Sequence, residues 1–236
     1  MTKNFWIGGK QNIIENLEKN IFLKILIDKK RKDIKSYEKY KKIKYVSRAE
    51  IEKVFAKYKN YNHQGFAALA EYKKISSIDH FFLSKNNENI LAIDNIEDVG
   101  NFGTIIRSCV AFGVKFILVE KNSITQNLGL MFKNSAGYFE QINIIYSSNI
   151  YNELKKFNQN EYAITGLDAN GTSELSKFNW HKKNLIIIGS EKKGVRKNIL
   201  KKCDFIVSIK TNKKVESLNA AQACSISLYT LNAQTT

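Results

Sequence analysis

The sequence predicts an α/β protein whose sheet carries helices on both faces. Two observations lead to this prediction. From residue 90 onward, short apolar runs alternate with segments whose apolar residues recur at helical spacing. Polar loops containing glycine follow several of the runs. The length of 236 residues suits one large domain or two small ones and is sufficient for a hydrophobic core.

The second part of the chain, residues 89–236, has the stronger alternation of elements. Neither a G-x-G-x-x-G fingerprint nor a Walker A loop occurs in it, which makes a nicotinamide-dependent dehydrogenase a poor hypothesis. Strands are predicted at residues 90–94, 116–119, 139–145, 162–167, 185–188 and 205–209, and helices at 101–112, 128–135, 150–157, 195–200 and 218–231.

The first part, residues 1–72, is predicted to be a smaller α/β unit with a parallel or mixed sheet. A polar, turn-rich connector at residues 73–88 follows it, with a short helix at 78–83. Helices are predicted from residue 5 to 17, over the charged segment 28–44 and at 48–58, and strands at 21–27, 45–46 and after His63.

The net charge indicates a polyanionic partner. The chain carries 38 basic and 22 acidic side chains, a balance of +16, and residues 1–80 contribute +10 of it from 19 basic and 9 acidic side chains. Nucleic acid is the first candidate for a chain this basic. A genome that encodes lysine wherever a polar residue suffices is the alternative explanation, and the absence of proline is consistent with it.

The cysteines and histidines do not predict a metal site. Cys109, Cys203 and Cys224 are widely spaced and lack ligand spacing, which suits a reducing cytoplasm, and two of them lie in apolar helical settings typical of core thiols. We expect no membrane span, since no apolar run approaches about 18 residues. We expect no signal peptide, since residues 1–9 lack an apolar core.

The stretch from Asp98 to Arg107 is predicted to turn from a buried strand into a helix. Gly100 and Gly103 permit a tight backbone, and Asn101 is a good N-cap residue. Arg107 lies about two turns into the helix on a largely apolar surface. The stretch is therefore either a capped helix whose arginine reaches outward or a site that holds an RNA phosphate at a helix N-terminus.

Two later stretches have the same strand-to-loop character. In Ile188-Gly-Ser-Glu191, Gly189 lets the backbone approach a ligand and Glu191 places a carboxylate at the end of the strand, where ligands bind in open α/β sheets. Ser217 and Asn219 begin the last helix and are typical of N-cap and first-turn positions. Each stretch alone is equally typical of an ordinary link between a strand and a helix.

As an ordered set, the three stretches resemble the SpoU/TrmH family of RNA ribose 2′-O-methyltransferases, in the SPOUT superfamily. The motifs are Asn-x-Gly-x-x-x-Arg from Asn101, Ile-Gly-Ser-Glu-x-x-Gly from Ile188, and Lys-Val-Glu-Ser-Leu-Asn-Ala-Ala ending at Ala221. The resemblance covers residues 88–236. The segments Trp6-Ile-Gly-Gly9 and His63-Gln-Gly65 are similar to the ribosomal-protein-like RNA-binding domain of the family's large-subunit rRNA guanosine methyltransferases.

The resemblance implies a trefoil-knotted SPOUT domain that binds S-adenosylmethionine and an active site near the interface of a homodimer. It implies 2′-O-methylation of RNA, with a guanosine of 23S rRNA as the first expectation. A tRNA substrate and a non-catalytic RNA-binding or ribosome-assembly protein are the alternatives. The residues implied as catalytic are Asn101, Arg107, Glu191, Ser217 and Asn219, and those implied to bind the cofactor are Gly189, Ile209 and Leu218.

The chain departs from the family pattern at four positions near these motifs. Val99 and Lys210 replace prolines, and Lys192 and Lys213 stand where glycine is usual. None of the three motifs contains histidine, so a conventional general base is not evident. The resemblance gives Arg107 that role, but a guanidinium is effectively always charged, so we expect Arg107 to hold the target phosphate and polarise the hydroxyl instead.

Overall fold

The computed structural model describes residues 3–19, 21–56, 61–72, 75–83, 89–96, 98–120, 128–135, 137–190, 192–212 and 217–235. Within these residues the strands form two sheets, one of four strands near the N-terminus and one of eight strands after it. Helices and strands alternate along both parts, so the predicted α/β class is confirmed.

The first sheet is mixed. Its strand order is β1-β4-β2-β3, with β4 antiparallel to both β1 and β2, and β2 parallel to β3. Helix α2 begins after Ser47, whose side chain and that of Glu50 form a capping box. The elements are β1 (Lys3–Gly8), α1 (Lys10–Ile14), β2 (Phe22–Asp28), β3 (Ile43–Val46), α2 (Arg48–Val54) and β4 (Phe66–Tyr72).

One helix prediction in this region is wrong at its start, although Lys10–Ile14 do form α1, and a second is wrong throughout. Residues 5–8 belong to β1, which pairs with β4 from Lys3 opposite Tyr72 to Gly8 opposite Ala67, so cross-strand pairing overrides the helical pattern. In the charged segment 28–44, residues 29–42 form turns and one 3-10 turn, while residue 28 ends β2 and residues 43–44 begin β3. There the Asp33 carboxylate accepts hydrogen bonds from Arg31 Nε at 2.7 Å and from Tyr37 Oη at 3.0 Å, which favours a compact loop.

The second sheet is parallel throughout its described pairs and matches five of the six strands predicted for this part. Its order is β10-β12-β9-β11-β6-β7-β8-β5. The strands are β5 (Ile75–Ser76), β6 (Ile90–Asp94), β7 (Phe116–Glu120), β8 (Asn143–Ser147), β9 (Ala163–Leu167), β10 (Ser173–Glu174), β11 (Asn184–Gly189) and β12 (Phe205–Ser208).

The sixth prediction, a strand over residues 139–145, is wrong at its start. Residues Tyr138–Gln141 form a 3-10 turn, and β8 begins only at Asn143. Phe139 is fully buried, with its ring centroid 4.5 Å from that of Tyr72 and 6.2 Å from that of Phe5. Packing against the first sheet therefore determines the backbone at this point.

Helices cover both faces of the second sheet, as predicted. Leu91 and Ile93 pack in a core that includes residues of α4 and α8, whereas Ile90 and Ala92 pack on the opposite face with residues of α3, α6 and α7. The helices are α3 (Ile78–Leu83), α4 (Val99–Ala111), α5 (Leu128–Asn134), α6 (Ile150–Gln159), α7 (Lys197–Leu200) and α8 (Ala220–Thr235).

The two sheets share one hydrophobic core through α5. A Cβ atom at Gly129 of this helix would lie 2.1 Å from the Trp6 carbonyl oxygen of β1, so glycine is required for the contact. On its other side α5 packs against α4, where a Cβ atom at Gly103 would lie 2.7 Å from the Asn134 carbonyl carbon. Residues 75–83 of the predicted connector supply β5 and α3, which belong to the second sheet and its core.

The division at residues 72 and 89 stays a prediction, as does the trefoil knot. Among the described residues, no helix has both the length and the apolar character needed to cross a membrane.

Candidate active site

A cavity of about 280 Å³ lies at the carboxyl ends of β9, β11 and β12. This is the edge of a parallel sheet where ligands usually bind. The segment 217–223, which leads into α8, closes its remaining side. Four residues predicted for the site line this cavity: Gly189, Ile209, Ser217 and Leu218.

Gly189 is required by the backbone packing of the cavity wall. A Cβ atom at this position would lie 2.0 Å from the carbonyl carbon of Gly194, which no real side chain tolerates. The intervening loop folds back on itself, because the Gly194 amide donates to the Ser190 carbonyl oxygen at 2.8 Å. Gly194 has φ of +63°, a conformation that favours glycine. This wall therefore presents backbone to a ligand.

Asn101 and Asn219 lie in contact although 118 positions separate them in sequence. Asn219 Nδ2 donates to Asn101 Oδ1 at 3.0 Å, which joins the first turn of α4 to the start of α8. Asn219 Oδ1 also accepts from the Ala221 amide at 2.9 Å and so caps α8. Ser217, which the sequence also offered as a residue typical of helix caps, does not cap α8. It lies exposed in the lining of the cavity.

The predicted N-cap of α4 is wrong. Asp98 is the cap residue, and its carboxylate accepts from the Asn101 amide at 2.7 Å. The carboxylate competes well for this position because it interacts with the positive end of the helix dipole. Asn101 therefore lies inside the first turn, and its side chain is available to contact Asn219.

Arg107 lies outside the cavity. It is exposed on the same side of α4 as Thr104 and Ala111, which agrees with the alternative of an arginine that reaches outward. Among the described residues it makes no hydrogen bond or ion pair. The single chain therefore brings Asn101, Ser217 and Asn219 to the cavity region but directs Arg107 along a different face of α4.

Glu191 and Lys213 lie outside the described residues. The neighbours of Glu191, Ser190 and Lys192, both line the cavity. Lys192 and Lys193 are exposed, so the substitution of lysine for glycine at residue 192 adds a solvated charge at the rim. Lys210 is exposed between two residues that line the cavity.

An ion-pair network beside the cavity was not predicted from the sequence. Arg196 follows the loop after β11 and binds Asp94 at the end of β6 and Glu120 at the end of β7. Burial raises the pKa of the Asp94 carboxyl, while Arg196 acts in the opposite direction. The sequence did contain a signal for this network, since Asp94 and Glu120 each end a predicted strand. The position of Glu191 at the end of a strand is the same feature that made it a candidate site residue.

Two of the three cysteines lie in the core, as predicted, and Cys203 is half-buried beside it. Cys109 of α4 and Cys224 of α8 are fully buried, and burial together with the Cys224 thiol raises the pKa of Cys109 well above its ordinary value. Burial raises the pKa of Cys203 to about 12. The Cys109 and Cys203 thiols therefore stay protonated at neutral pH. No group of three metal-ligating side chains lies together among the described residues.

The chain matches known proteins in sequence and in fold. Residues 88–229 match the model of the SpoU rRNA Methylase family. A TrmH family tRNA/rRNA methyltransferase of Staphylococcus aureus is 29% identical over 174 residues, which cover 72% of this chain and 70% of that protein. A relative of the same description from Staphylococcus saprophyticus is 29% identical over 171 residues, covering 71% of this chain and 69% of that protein.

Two solved structures have the same fold over nearly the whole chain. The SpoU methyltransferase AviRb of Streptomyces viridochromogenes, in complex with AdoMet, is 20% identical with a TM-score of 0.78, covering 98% of this chain and 90% of its own. An AdoMet-bound rRNA methyltransferase of Sinorhizobium meliloti is 18% identical with a TM-score of 0.73, and the match covers 99% of this chain and 88% of that chain. The family match spans more than half of the sequence, and this chain belongs to the SpoU rRNA methylase family.

Proposed function

We propose that this protein transfers a methyl group from S-adenosylmethionine to a ribose 2′-hydroxyl of RNA. The observation that carries the proposal is the contact between Asn101 and Asn219, which holds the starts of α4 and α8 together beside the cavity. Membership of the SpoU rRNA methylase family supports it, as does the fold shared with structures bound to AdoMet.

The cavity suits S-adenosylmethionine in its chemistry. Apolar side chains at the ends of β9, β11 and β12 suit a purine ring, and the backbone wall at Gly189 allows close approach. Asp168 places a half-buried carboxylate at the rim, where it can accept from hydroxyl or ammonium groups. When bound, the cofactor supplies a methyl group activated on a sulfonium. The residues we expect to hold it are Gly189, Ile209 and Leu218.

The polar residues then position the acceptor ribose and a neighbouring phosphate. Positioning is the main task, because the methyl group is already activated. Arg107 remains charged and binds the phosphate while it polarises the 2′-hydroxyl. Asn101, with its orientation fixed by Asn219, contacts the ribose, and Ser217 lies at the cavity where the hydroxyl would enter. Glu191 would orient Arg107.

Arg107 reaches a cofactor site by association of two copies of the chain. Two exposed stripes, one on α4 and one on α8, lie side by side, and the rings of Phe112 and Tyr229 meet there at 6.0 Å. Arg107 carries the only charge among the eight stripe residues, in a chain in which charged residues make up 25%. Depletion of charge is typical of the core of an interface. The stripes comprise Gly100, Thr104, Arg107 and Ala111 on α4, and Gln222, Ile226, Tyr229 and Ala233 on α8.

The proposed substrate is large-subunit rRNA, with a guanosine as the methylated nucleoside. Residues 1–72 would bind the RNA and residues 89–236 would carry out the transfer. The excess of basic side chains in residues 1–80 supports contact with folded RNA. The printed name of the Staphylococcus aureus relative covers both tRNA and rRNA, so tRNA is the alternative. A protein that binds RNA without catalysing methyl transfer, here called the silent RNA-binding protein, is the alternative that is not an enzyme.

The proposal is tested by methyl transfer from radiolabelled S-adenosylmethionine to total RNA of a strain that lacks this gene. Arg107→Ala is the inactive control, and Lys155→Ala is the control that retains activity, since Lys155 is an exposed cation of α6 outside both the cavity lining and residues 1–80. We expect label in large rRNA at one phosphodiester that resists alkali, and none with Arg107→Ala.

Three other outcomes would each change the conclusion. Label in tRNA would retain the chemistry and replace the substrate. Label in RNA that leaves every phosphodiester sensitive to alkali would contradict ribose methylation. Tight RNA binding without any label, on free RNA or on ribosomal particles, would favour the silent RNA-binding protein.

A further inference from the structure

The loop between β11 and α7 begins and ends at the same residue of the neighbouring strand. Gly189, where the loop leaves β11, is paired in register with Asp94 of β6. Arg196, where the loop ends, binds Asp94 twice: its amide donates to Oδ2 at 2.8 Å and its Nε donates to Oδ1 at 2.7 Å. Asp94 therefore holds both Gly189 and Arg196, which flank the residues of this link that line the cavity.

The guanidinium of Arg196 joins a third strand to this point. Its terminal nitrogen donates to Glu120 Oε1 at the end of β7, and the same oxygen accepts from the Ile150 amide of α6 at 3.0 Å. The Asp94 side chain is 1% exposed and that of Arg196 is 37% exposed. The buried partner is therefore the carboxylate, which depends on Arg196 for its compensation.

Both halves of the candidate site connect directly to this ion pair. On one side, Lys192, Lys193 and Gly194 of the loop line the cavity. On the other side, the chain continues from Asp94 through Asn95, which has φ of +66°, to the cap of α4. A shift of Arg196 would consequently move the cavity wall relative to the helix that carries Asn101 and Arg107.

We propose that Arg196 is a positioning residue for the methyl-transfer reaction, which acts through Asp94 to hold Lys192, Lys193 and Gly194 in the arrangement that binds the cofactor. This inference rests on the proposed function, since it names S-adenosylmethionine as the ligand of the cavity. Arginine is suited to the role because its planar group contacts two carboxylates at once in fixed directions. Lysine retains the charge but lacks the second donor in that geometry.

The first measurement compares dissociation constants for S-adenosylmethionine by titration calorimetry. We expect Arg196→Gln to weaken binding by about tenfold or more and Arg196→Lys to recover part of that loss. Lys197→Gln, which removes an exposed charge from the next residue, serves as the matched control and retains the wild-type constant. Turnover at saturating cofactor is expected to fall less than affinity does.

A double-mutant cycle tests whether the effect passes through Asp94. The double variant Asp94→Asn with Arg196→Gln removes the fully buried charge that Arg196→Gln alone would leave unpaired at Asp94, so it remains measurable even if Arg196→Gln folds poorly. We expect the double variant to bind no more weakly than the poorer single variant. Additive losses, or a wild-type dissociation constant in Arg196→Gln, would overturn the proposal.

Hydrogen exchange in the protein without cofactor separates this proposal from the proposed function. The Lys193 amide donates to Ser190 Oγ at 3.3 Å and the Gly194 amide to the Ser190 carbonyl oxygen at 2.8 Å. Arg196→Gln should speed exchange at both amides, whereas Lys197→Gln should not. If the wild-type protein does not bind the cofactor, the proposed function fails, but hydrogen exchange still shows whether Arg196 holds these residues in place. Unchanged exchange in Arg196→Gln would refute the positioning role of Arg196.

Discussion

The side-chain amide of Asn219 donates a hydrogen bond from Nδ2 to Oδ1 of the Asn101 side chain at 3.0 Å, across the starts of two helices that lie far apart in sequence. The same Asn219 side chain caps α8 through its oxygen. One residue therefore stabilises a helix and orients a neighbour, and the two roles are separable by substitution.

We expect Asn219→Ser to retain the helix cap but lose the contact with Asn101, because serine is as good a cap and too short to reach. Asn219→Ala loses both and should lower the free energy of unfolding by about 1 kcal/mol. Both variants should reduce kcat by about tenfold or more. Urea denaturation measures the loss of the cap, and steady-state methylation at saturating substrates measures kcat; a normal kcat in Asn219→Ser would show that the contact with Asn101 is dispensable.

Arg107 and the cavity are expected to come from different subunits of the proposed dimer. Neither Arg107→Ala nor Gly189→Ala should be active alone. When both chains are co-expressed, about half of the dimers are mixed and each mixed dimer has one intact site, so about a quarter of the wild-type activity should return. No recovery in a preparation that sediments as a dimer would place Arg107 in the site of its own chain.

Gly189→Ala is expected to abolish cofactor binding, because the added Cβ atom would lie 2.0 Å from the backbone of Gly194. The control is Gly113→Ala. That Cβ would meet nothing within 4 Å, but φ of +75° disfavours alanine. The control should lose about 1 kcal/mol of stability and keep the wild-type dissociation constant. Calorimetric titration with S-adenosylmethionine gives the dissociation constants of the two variants. Equal affinity in the two would contradict a close-packed wall.

The stability of the first sheet is expected to decrease in acid through Asp33. The hydrogen bond from Arg31 lowers the pKa of Asp33 well below its ordinary value of 3.8. A lowered pKa in the folded state contributes stability above pH 3.8, which is lost as the pH falls toward the folded pKa. Asp33→Asn should therefore flatten the dependence of the unfolding free energy between about pH 4 and pH 2.

The matched control for this measurement is Asp79→Asn. The Asp79 side chain is 71% exposed and forms its ion pair on the surface. This variant should leave the slope unchanged, because exposed ion pairs contribute little. Urea denaturation at several pH values gives the slopes, and parallel curves for wild type and Asp33→Asn would remove Asp33 from the acid response.

Periodicity identified elements whose stability comes from burial along one segment. The apolar run in β6 and the helical spacing in α4 are properties of contiguous residues, so they are visible in the sequence. The pattern failed at residues 5–8, 29–42 and 139–141. A distant partner decides the conformation of the first and the last, namely β4 for residues 5–8 and Phe5 with Tyr72 for Phe139. In the second, the hydrogen bonds of Asp33 with Arg31 and Tyr37 favour turns, which an apolar pattern does not reveal.

The sequence by itself determined the α/β class and, through the order of its three motifs, the family and the residues that gather at one end of the second sheet. The tertiary structure decided how those residues relate. It turned Arg107 outward and placed Asn219 against Asn101, and it formed the ion pair of Arg196 with Asp94. Local spacing specifies which face of an element is apolar, but contacts between residues about 100 positions apart depend on how whole elements pack, which no local pattern encodes.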